Sequence, residues 1–236
     1  MKKILSVYKP LYLTPYQLIQ QLKKNYPEYA NEKIGYAGRL DPLAHGVLLL
    51  MIGEENKKRD SYLHLTKEYE FELVFGIETD SYDMLGIPIG GNLSLIETVT
   101  QENIALFIQH KEGKQIQSYP PYSSKAVEGK PLHWWAKRNR LHEINIPNRE
   151  IFIEEFFFLD FGEISKETFL EKVMTSVRMV EGHFRQEEIQ EKWGALFSTC
   201  QKKSFLTARF KIACSSGTYV RGLVSDLGKF LGTGAV

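Results

Sequence analysis

The sequence predicts an α+β fold, a mixed and mostly antiparallel sheet with flanking helices. Three observations lead there. Residues 68–75 and 206–214 alternate apolar and polar side chains with the period of half-buried strands. Several other segments repeat apolar residues at helical spacing behind a capping residue. Strands and helices do not follow the regular alternation of a doubly wound parallel sheet.

Each element has its own signal. Thr14 followed by Pro15 reads as an N-cap and first helical position, with Leu18, Ile19 and Leu22 on one face. Val47 to Ile52 is an apolar run of strand length, expected to be buried. From Glu68 to Phe75, Tyr69, Phe71, Leu73 and Phe75 face one side and Glu68, Glu70 and Glu72 the other. Thr100 to His110 reads as a helix with Ile104, Phe107 and Ile108 inward. Ser165 is placed to cap a helix that buries Phe169, Leu170, Val173, Met174 and Val177. Leu206, Ala208, Phe210, Ile212 and Cys214 form the apolar side of a strand that stops at Ser215-Ser216-Gly217. Thr218 is expected to cap a last helix burying Tyr219, Leu223 and Leu227.

The chain has 236 residues, 43% hydrophobic and 25% charged, which fits one large domain or two small ones and excludes a disordered chain or a disulfide scaffold. No apolar run approaches the roughly 20 residues that span a bilayer. Lys9 and Pro10 interrupt any signal-peptide core. Cys200 and Cys214 make no C-x-x-C pair, and Cys214 belongs to an apolar strand face. The expectation is a soluble cytoplasmic protein.

Charge is unevenly placed. The net charge is +1, yet residues 111–149 hold eight Lys/Arg against three Glu, and residues 150–192 hold eleven Asp/Glu against five Lys/Arg. The basic stretch also contains Tyr119, Tyr122, Trp134 and Trp135, a composition suited to a polyanion with flat bases. On charge alone, a solvated face is the preferred reading. Pro120, Pro121, Pro131 and Pro147 interrupt this segment, so residues 111–149 are read as an irregular insertion facing nucleic acid. Of the two adjacent tryptophans, one is expected in the core.

The most distinctive stretch runs from Gly35 to Gly46. Three glycines and a proline surround one carboxylate, Asp41. Pro42 pushes Asp41 out of the helical region, so the carboxylate sits on a loop at the lip of a core strand.

That stretch resembles the catalytic motif of the TruB family of tRNA pseudouridine synthases, G-H-T-G-x-L-D-P-x-A-x-G, through Gly35, Gly38, Leu40, Asp41, Pro42, Ala44 and Gly46. Further matches follow in order. Lys9-Pro10 with Thr14 resembles the family's K-P segment, and Lys67-Glu68-Tyr69 its K-x-Y strand. Gly76, Thr79-Asp80-Ser81, Asp83 and Gly86 resemble its T-D-[ST]-x-D turn. Gln117, Pro120, Tyr122-Ser123, Lys125, Gly129-Lys130 and Leu132 resemble the segment that follows. Gly182 with Phe184-Arg185-Gln186, then Cys214 to Arg221 with Asp226-Leu227-Gly228, complete the series over nearly the whole chain.

The resemblance implies a pseudouridine synthase fold, with residues 1–236 as one catalytic domain and 111–149 as its RNA-facing insertion. It implies a uridine isomerised to pseudouridine at position 55 in the T-loop of tRNA, after the base is flipped from its stack. It implies no cofactor, no metal, no membrane, and a monomer whose partner is the tRNA T-stem-loop. Asp41 would be the essential carboxylate, Arg221 its ionic partner, and Tyr69 the ring stacked on the flipped uracil. On pattern alone Tyr69 is core and Arg221 a surface or phosphate-binding arginine. RNA contacts are expected from Lys9, Tyr36, Arg39, His45, Lys67, Tyr122, Ser123, Lys125, Lys130, Arg185 and Tyr219. The chain departs from the family in three places. Tyr36 replaces the usual His, and Tyr12 a usual Gly. The sequence also stops soon after the D-L-G block, where members continue with another strand and often a PUA-type domain, so weaker RNA affinity is expected. Two rivals are an RNA-binding module without turnover and a metal-dependent phosphoesterase using Asp80 and Asp83.

Overall fold

The computed structural model describes residues 3–182 and 184–236. The chain divides into two compact units, Met1–Thr66 with Arg178–Phe184, and Lys67–Val177 with Arg185–Val236.

In the first unit, β1 (Ile4–Lys9) leads into α1 (Pro15–Asn25). The predicted cap is present in full: the Gln17 amide donates to the Thr14 side chain, and the Thr14 amide donates back to the Gln17 side chain. β2 (Ile34–Ala37) and β3 (Gly46–Ile52) complete an antiparallel sheet ordered β1-β3-β2, followed by the short α2 (Arg59–Leu63). Ile19 of α1 packs on Leu48 and Leu50 of β3, with Leu5, Val7, Leu18, Leu22, Ile34 and Tyr36 around them. The apolar run of β3 is not buried throughout: Val47 is 70% exposed.

The second unit begins with β4 (Lys67–Val74), which holds the predicted alternation. A small β5 (Glu78–Thr79) and β6 (Pro88–Gly90) hairpin precedes α3 (Gln101–Lys111), capped by Thr100. Then come β7 (Gly113–Ser118), the two-residue strands β8 (Ala126–Val127) and β9 (Lys130–Pro131), and α4 (Leu132–Ala136). The chain continues through β10 (Asn148–Ser165), α5 (Lys166–Met179), α6 (Gln186–Thr199), β11 (Ser204–Cys214) and α7 (Val220–Phe230). The main sheet has the order β4-β11-β10-β7 and is antiparallel throughout.

Phe210, Ile212 and Cys214 of β11 are fully buried among Leu73, Ile153 and Phe156, under Ile104 and Phe107 of α3 and Leu223 and Leu227 of α7. Each such side chain contributes roughly 1.5–3 kcal/mol by leaving water. A second aromatic cluster, Phe169, Trp193, Phe197 and Phe205, fastens α5 and α6 to β11, with Phe169 edge-to-face on the other three rings and Phe197 tilted against Phe205. Ser165 caps α5 as expected, accepting from the Thr168 amide. Among the described residues, no helix is long and apolar enough to cross a membrane.

Two expectations are corrected here. Thr218 does not cap α7; its hydroxyl turns back to the Ser215 carbonyl, and Tyr219 takes the cap position. The segment 111–149 is not irregular throughout. Lys111 ends α3, Gly113–Ser118 is the edge strand β7 and Asn148 begins β10, which leaves residues 119–147, with the short β8, β9 and α4 among loops. That part has its own small core of Leu132, Trp135 and Ile144.

Candidate active site

In the first unit, Asp41 lies half-buried on the loop between β2 and β3. The loop is framed by Gly38 and Gly46, both at positive φ (89° and 128°), where a side chain would be strained. The Asp41 carbonyl accepts the Ala44 amide at 2.9 Å, closing a turn around Pro42. The Pro42 carbonyl accepts the Tyr12 amide at 2.6 Å, which ties this loop to the segment before α1. Tyr12 makes that bond from φ 71°, the left-handed region, which explains the glycine usual there in the resembling family. Lys9 is fully buried, and its ammonium donates to the carbonyls of Pro10 (3.0 Å) and Leu13 (2.7 Å). Burial lowers the Lys9 pKa to about 8, with Asp41 opposing the shift. The side chain therefore braces the backbone from inside, which corrects the expected RNA contact.

Around this loop, Tyr36 is half-buried on β2 and Arg39 is exposed, its guanidinium 3.4 Å from the Tyr36 hydroxyl. His45 is exposed, with the Tyr8 hydroxyl 2.9 Å from its Nδ1.

In the second unit, Tyr69 is half-buried on β4 opposite Ile212, beside the core face. The turn after β5 centres on Asp80. Its carboxylate receives both Arg185 Nη atoms (2.8 and 3.1 Å), the Tyr122 hydroxyl (3.0 Å) and the Ile87 amide (2.8 Å). The Arg185 guanidinium lies 4.5 Å from the Tyr122 ring centroid. Burial, and next the Asp80 charge, push the Tyr122 phenol well above its ordinary pKa. Asp83 accepts from the Ser81 hydroxyl (2.7 Å) and the Leu85 amide (3.0 Å). These bonds make Asp80 and Asp83 turn-builders, each carboxylate bonded to its own turn, and not a pair of ligands converging on one ion.

Arg221 is at the start of α7. It donates to the carbonyls of Ser81 (2.9 Å) and Tyr122 (3.2 Å), and its guanidinium lies 5.3 Å from the Tyr219 ring. Asp80, Arg185, Tyr122, Arg221 and Tyr219 thus form one connected group. Sequence spacing offered no sign of the Asp80–Arg185 pair, whose members are 105 residues apart. Gln117, read only as a motif position, clasps the start of α7. Its amide accepts from the Tyr219 N–H (2.9 Å) and donates to the Tyr219 carbonyl (3.0 Å). Lys67 is half-buried and its pKa is lowered by burial; burial likewise raises that of the fully buried Cys214 thiol.

Within residues 119–147, Ser123 is buried and its carbonyl accepts from the His133 amide, so it is a framework residue and not the expected RNA contact. Trp135 is the core tryptophan, its indole N–H donating to the Val127 carbonyl. Trp134 is half-buried beneath Lys130, Arg138 and Arg140, at 5.7, 4.2 and 5.6 Å from its ring centroid. Lys125 and Lys130 are exposed, and Lys125 lies over Tyr119. Among the described residues, no three His, Cys, Asp or Glu gather as a metal site.

Comparison with known proteins identifies the family. The family model described as TruB family pseudouridylate synthase (N terminal domain) matches residues 24–185. A tRNA pseudouridine synthase B of Malacoplasma penetrans is 31% identical over 168 residues, covering 71% of this chain and 69% of that protein. Proteins of the same name from Clostridium acetobutylicum and Caldicellulosiruptor saccharolyticus are 29% and 27% identical, covering 100% and 99% of this chain. The chain spans 64% and 63% of the length of these two relatives. Among solved structures, a Cbf5–Nop10–Gar1 complex shares the fold at a TM-score of 0.52 with 18% identity, over 98% of this chain and 45% of the matched one. With the family model spanning more than half its residues, the chain belongs to the TruB family of pseudouridylate synthases.

Proposed function

We propose that the protein isomerises uridine to pseudouridine in tRNA, at position 55 of the T-loop, with Asp41 as the essential carboxylate. The observation that carries this reading is the Asp41 loop: a half-buried carboxylate in the family's motif, on a backbone turn fixed by the Ala44 amide on the Asp41 carbonyl and the Tyr12 amide on the Pro42 carbonyl. Such fixation suits a group that must meet one atom of a flipped nucleotide. Family membership and the printed names of the relatives support the reaction and the substrate.

In this reading the bond from the sugar C1′ to N1 breaks and a bond from C1′ to C5 forms. The proton on C5 is lost and N1 gains one, so the change is an isomerisation. Asp41 acts at the reacting nucleotide and Tyr69 stacks on the flipped uracil. Arg221 is the third residue carried over from the family's motifs, its guanidinium donating to the Ser81 and Tyr122 carbonyls. Residues 119–147 contact the stem-loop through Lys125, Lys130 and Trp134, with Tyr36 and Arg39 beside the flipped base. The protein works as a monomer in the cytoplasm, where tRNA is made.

The test is chemical mapping of pseudouridine in an unmodified tRNA transcript after incubation with the folded protein. Pseudouridine at the T-loop uridine is the expected result. Modification only at another uridine would overturn the substrate assignment, and none at any uridine would overturn the activity.

A further inference from the structure

The end of β1 and the start of β3 present an aromatic surface that the core does not use. Tyr8 and Val47 are direct cross-strand partners, so their side chains share one face of the sheet. They are 62% and 70% exposed. Their neighbours Val7 and Leu48, also paired, point the other way and supply the packing against α1. His45 joins the exposed pair: its Nδ1 is 2.9 Å from the Tyr8 hydroxyl, and the two rings lie 5.9 Å apart at 51°. Gly46, between His45 and Val47, has open space where a side chain would project. The tyrosine and the valine stand side by side on one face, and the imidazole is bonded to the tyrosine at their edge.

Two features say what this surface meets. The hydrogen bond to His45 holds the Tyr8 ring, so little rotamer freedom is lost when something flat lies on it. His45 also follows immediately on the Asp41–Ala44 turn, so the surface adjoins the proposed catalytic loop within the first unit. RNA loops supply unstacked bases that bind to aromatic rings, and their phosphates accept from imidazole N–H groups.

We propose that Tyr8, Val47 and His45 form a platform for an unpaired nucleotide of the RNA substrate near the flipped uridine. The base stacks on Tyr8 against Val47, and His45 donates from Nε2 to the backbone phosphate. This rests on the RNA-modifying reading above and adds a binding position to it.

The test measures binding of a fluorescently labelled, unmodified T-stem-loop RNA, with turnover on the same RNA, for wild type, Tyr8→Ala and Tyr8→Phe. A blunt duplex of the same stem serves as control. Tyr8→Ala is expected to weaken stem-loop binding on the order of tenfold. The loss is expected in KM rather than kcat, with duplex binding unchanged. Tyr8→Phe keeps the stacking face and should lose less. Wild-type affinity in Tyr8→Ala, with wild type binding and converting the RNA, overturns the platform and leaves the activity standing. Equal weakening on stem-loop and duplex also overturns it. A wild type that neither binds nor converts the RNA overturns both.

Discussion

Two residues near Asp41 carry unusual local energies, and each makes a prediction. Tyr12 adopts φ 71°, a conformation that costs a non-glycine residue about 1–2 kcal/mol. Glycine would relieve that strain but would add roughly 0.5–1 kcal/mol of chain entropy in the unfolded state and forfeit the half-buried ring. Tyr12→Gly is therefore expected to shift stability by less than about 1 kcal/mol. Tyr12→Val, β-branched in the left-handed region, should lose about 1–2 kcal/mol in denaturant unfolding. Lys9 tests the electrostatics. Its pKa falls from 10.5 to about 8 on folding, so between those values the unfolded chain binds more protons than the folded one. Its contribution to stability is complete above pH 10.5 and is lost as pH falls through about 8. Wild type should gain on Lys9→Met as pH rises through this window, by about 1–3 kcal/mol in all. A pH-independent difference would contradict the burial of a titrating amine. The Asp41 motif was legible because glycine and proline punctuate it. The Lys9 brace was not, since a lysine reads as exposed unless its partners, here two main-chain carbonyls, are known.

At the scale of elements, α1, α3, β4 and β11 were legible because cap and period agree, and each packs on the face its pattern marks. β10 was not. Its register shifts between Ile153 and Glu155 and again between Phe158 and Asp160, so its buried residues Ile151, Ile153 and Phe156 break the period of two. α6 lacked a start signal: Arg185, at its cap position, is left-handed and makes no side-chain cap. β7 was hidden by its polar sequence, tolerable because it is an edge strand. The start of α7 depends on Gln117. Gln117→Leu removes both bonds to Tyr219 and strands the buried side of that clasp, an expected loss of about 1–3 kcal/mol. Gly222→Ala should act on the same clasp, because a Cβ there would lie 2.9 Å from Gln117 Nε2. Unfolding of each variant and of the pair separates the two: losses that do not add would identify a shared contact, and additive losses would refute it.

For the whole molecule, net charge is uninformative at +1, and the basic residues are concentrated locally. Lys125, Lys130 and Arg138 are exposed on the segment 119–147. Replacing all three with Ala should flatten the dependence of RNA affinity on salt, by about 0.7–0.9 in log–log slope for each phosphate no longer neutralised. An unchanged slope would place the RNA elsewhere. The proposed chemistry is also divided over the chain, with Asp41 in the first unit and Tyr69 and Arg221 in the second. Ordered motifs pointed to that set as an expectation, while the network holding Arg221 to Ser81 and Tyr122 became visible only from the tertiary structure. Both Asp80 carboxylate oxygens are engaged by Arg185, Tyr122 and the Ile87 amide, and Asp83 Oδ1 by Ser81 and the Leu85 amide. Turnover is accordingly expected to be indifferent to a chelator, and inhibition by one would revive the phosphoesterase reading.

The central claim is that Asp41 performs the isomerisation rather than holding the fold or the RNA. The most direct measurement compares Asp41→Asn with wild type on one unmodified tRNA, recording binding and pseudouridine formation together under single-turnover conditions. The expected result is RNA affinity within a fewfold of wild type and no detectable pseudouridine. Pseudouridine formed by Asp41→Asn at a rate near wild type would contradict the claim.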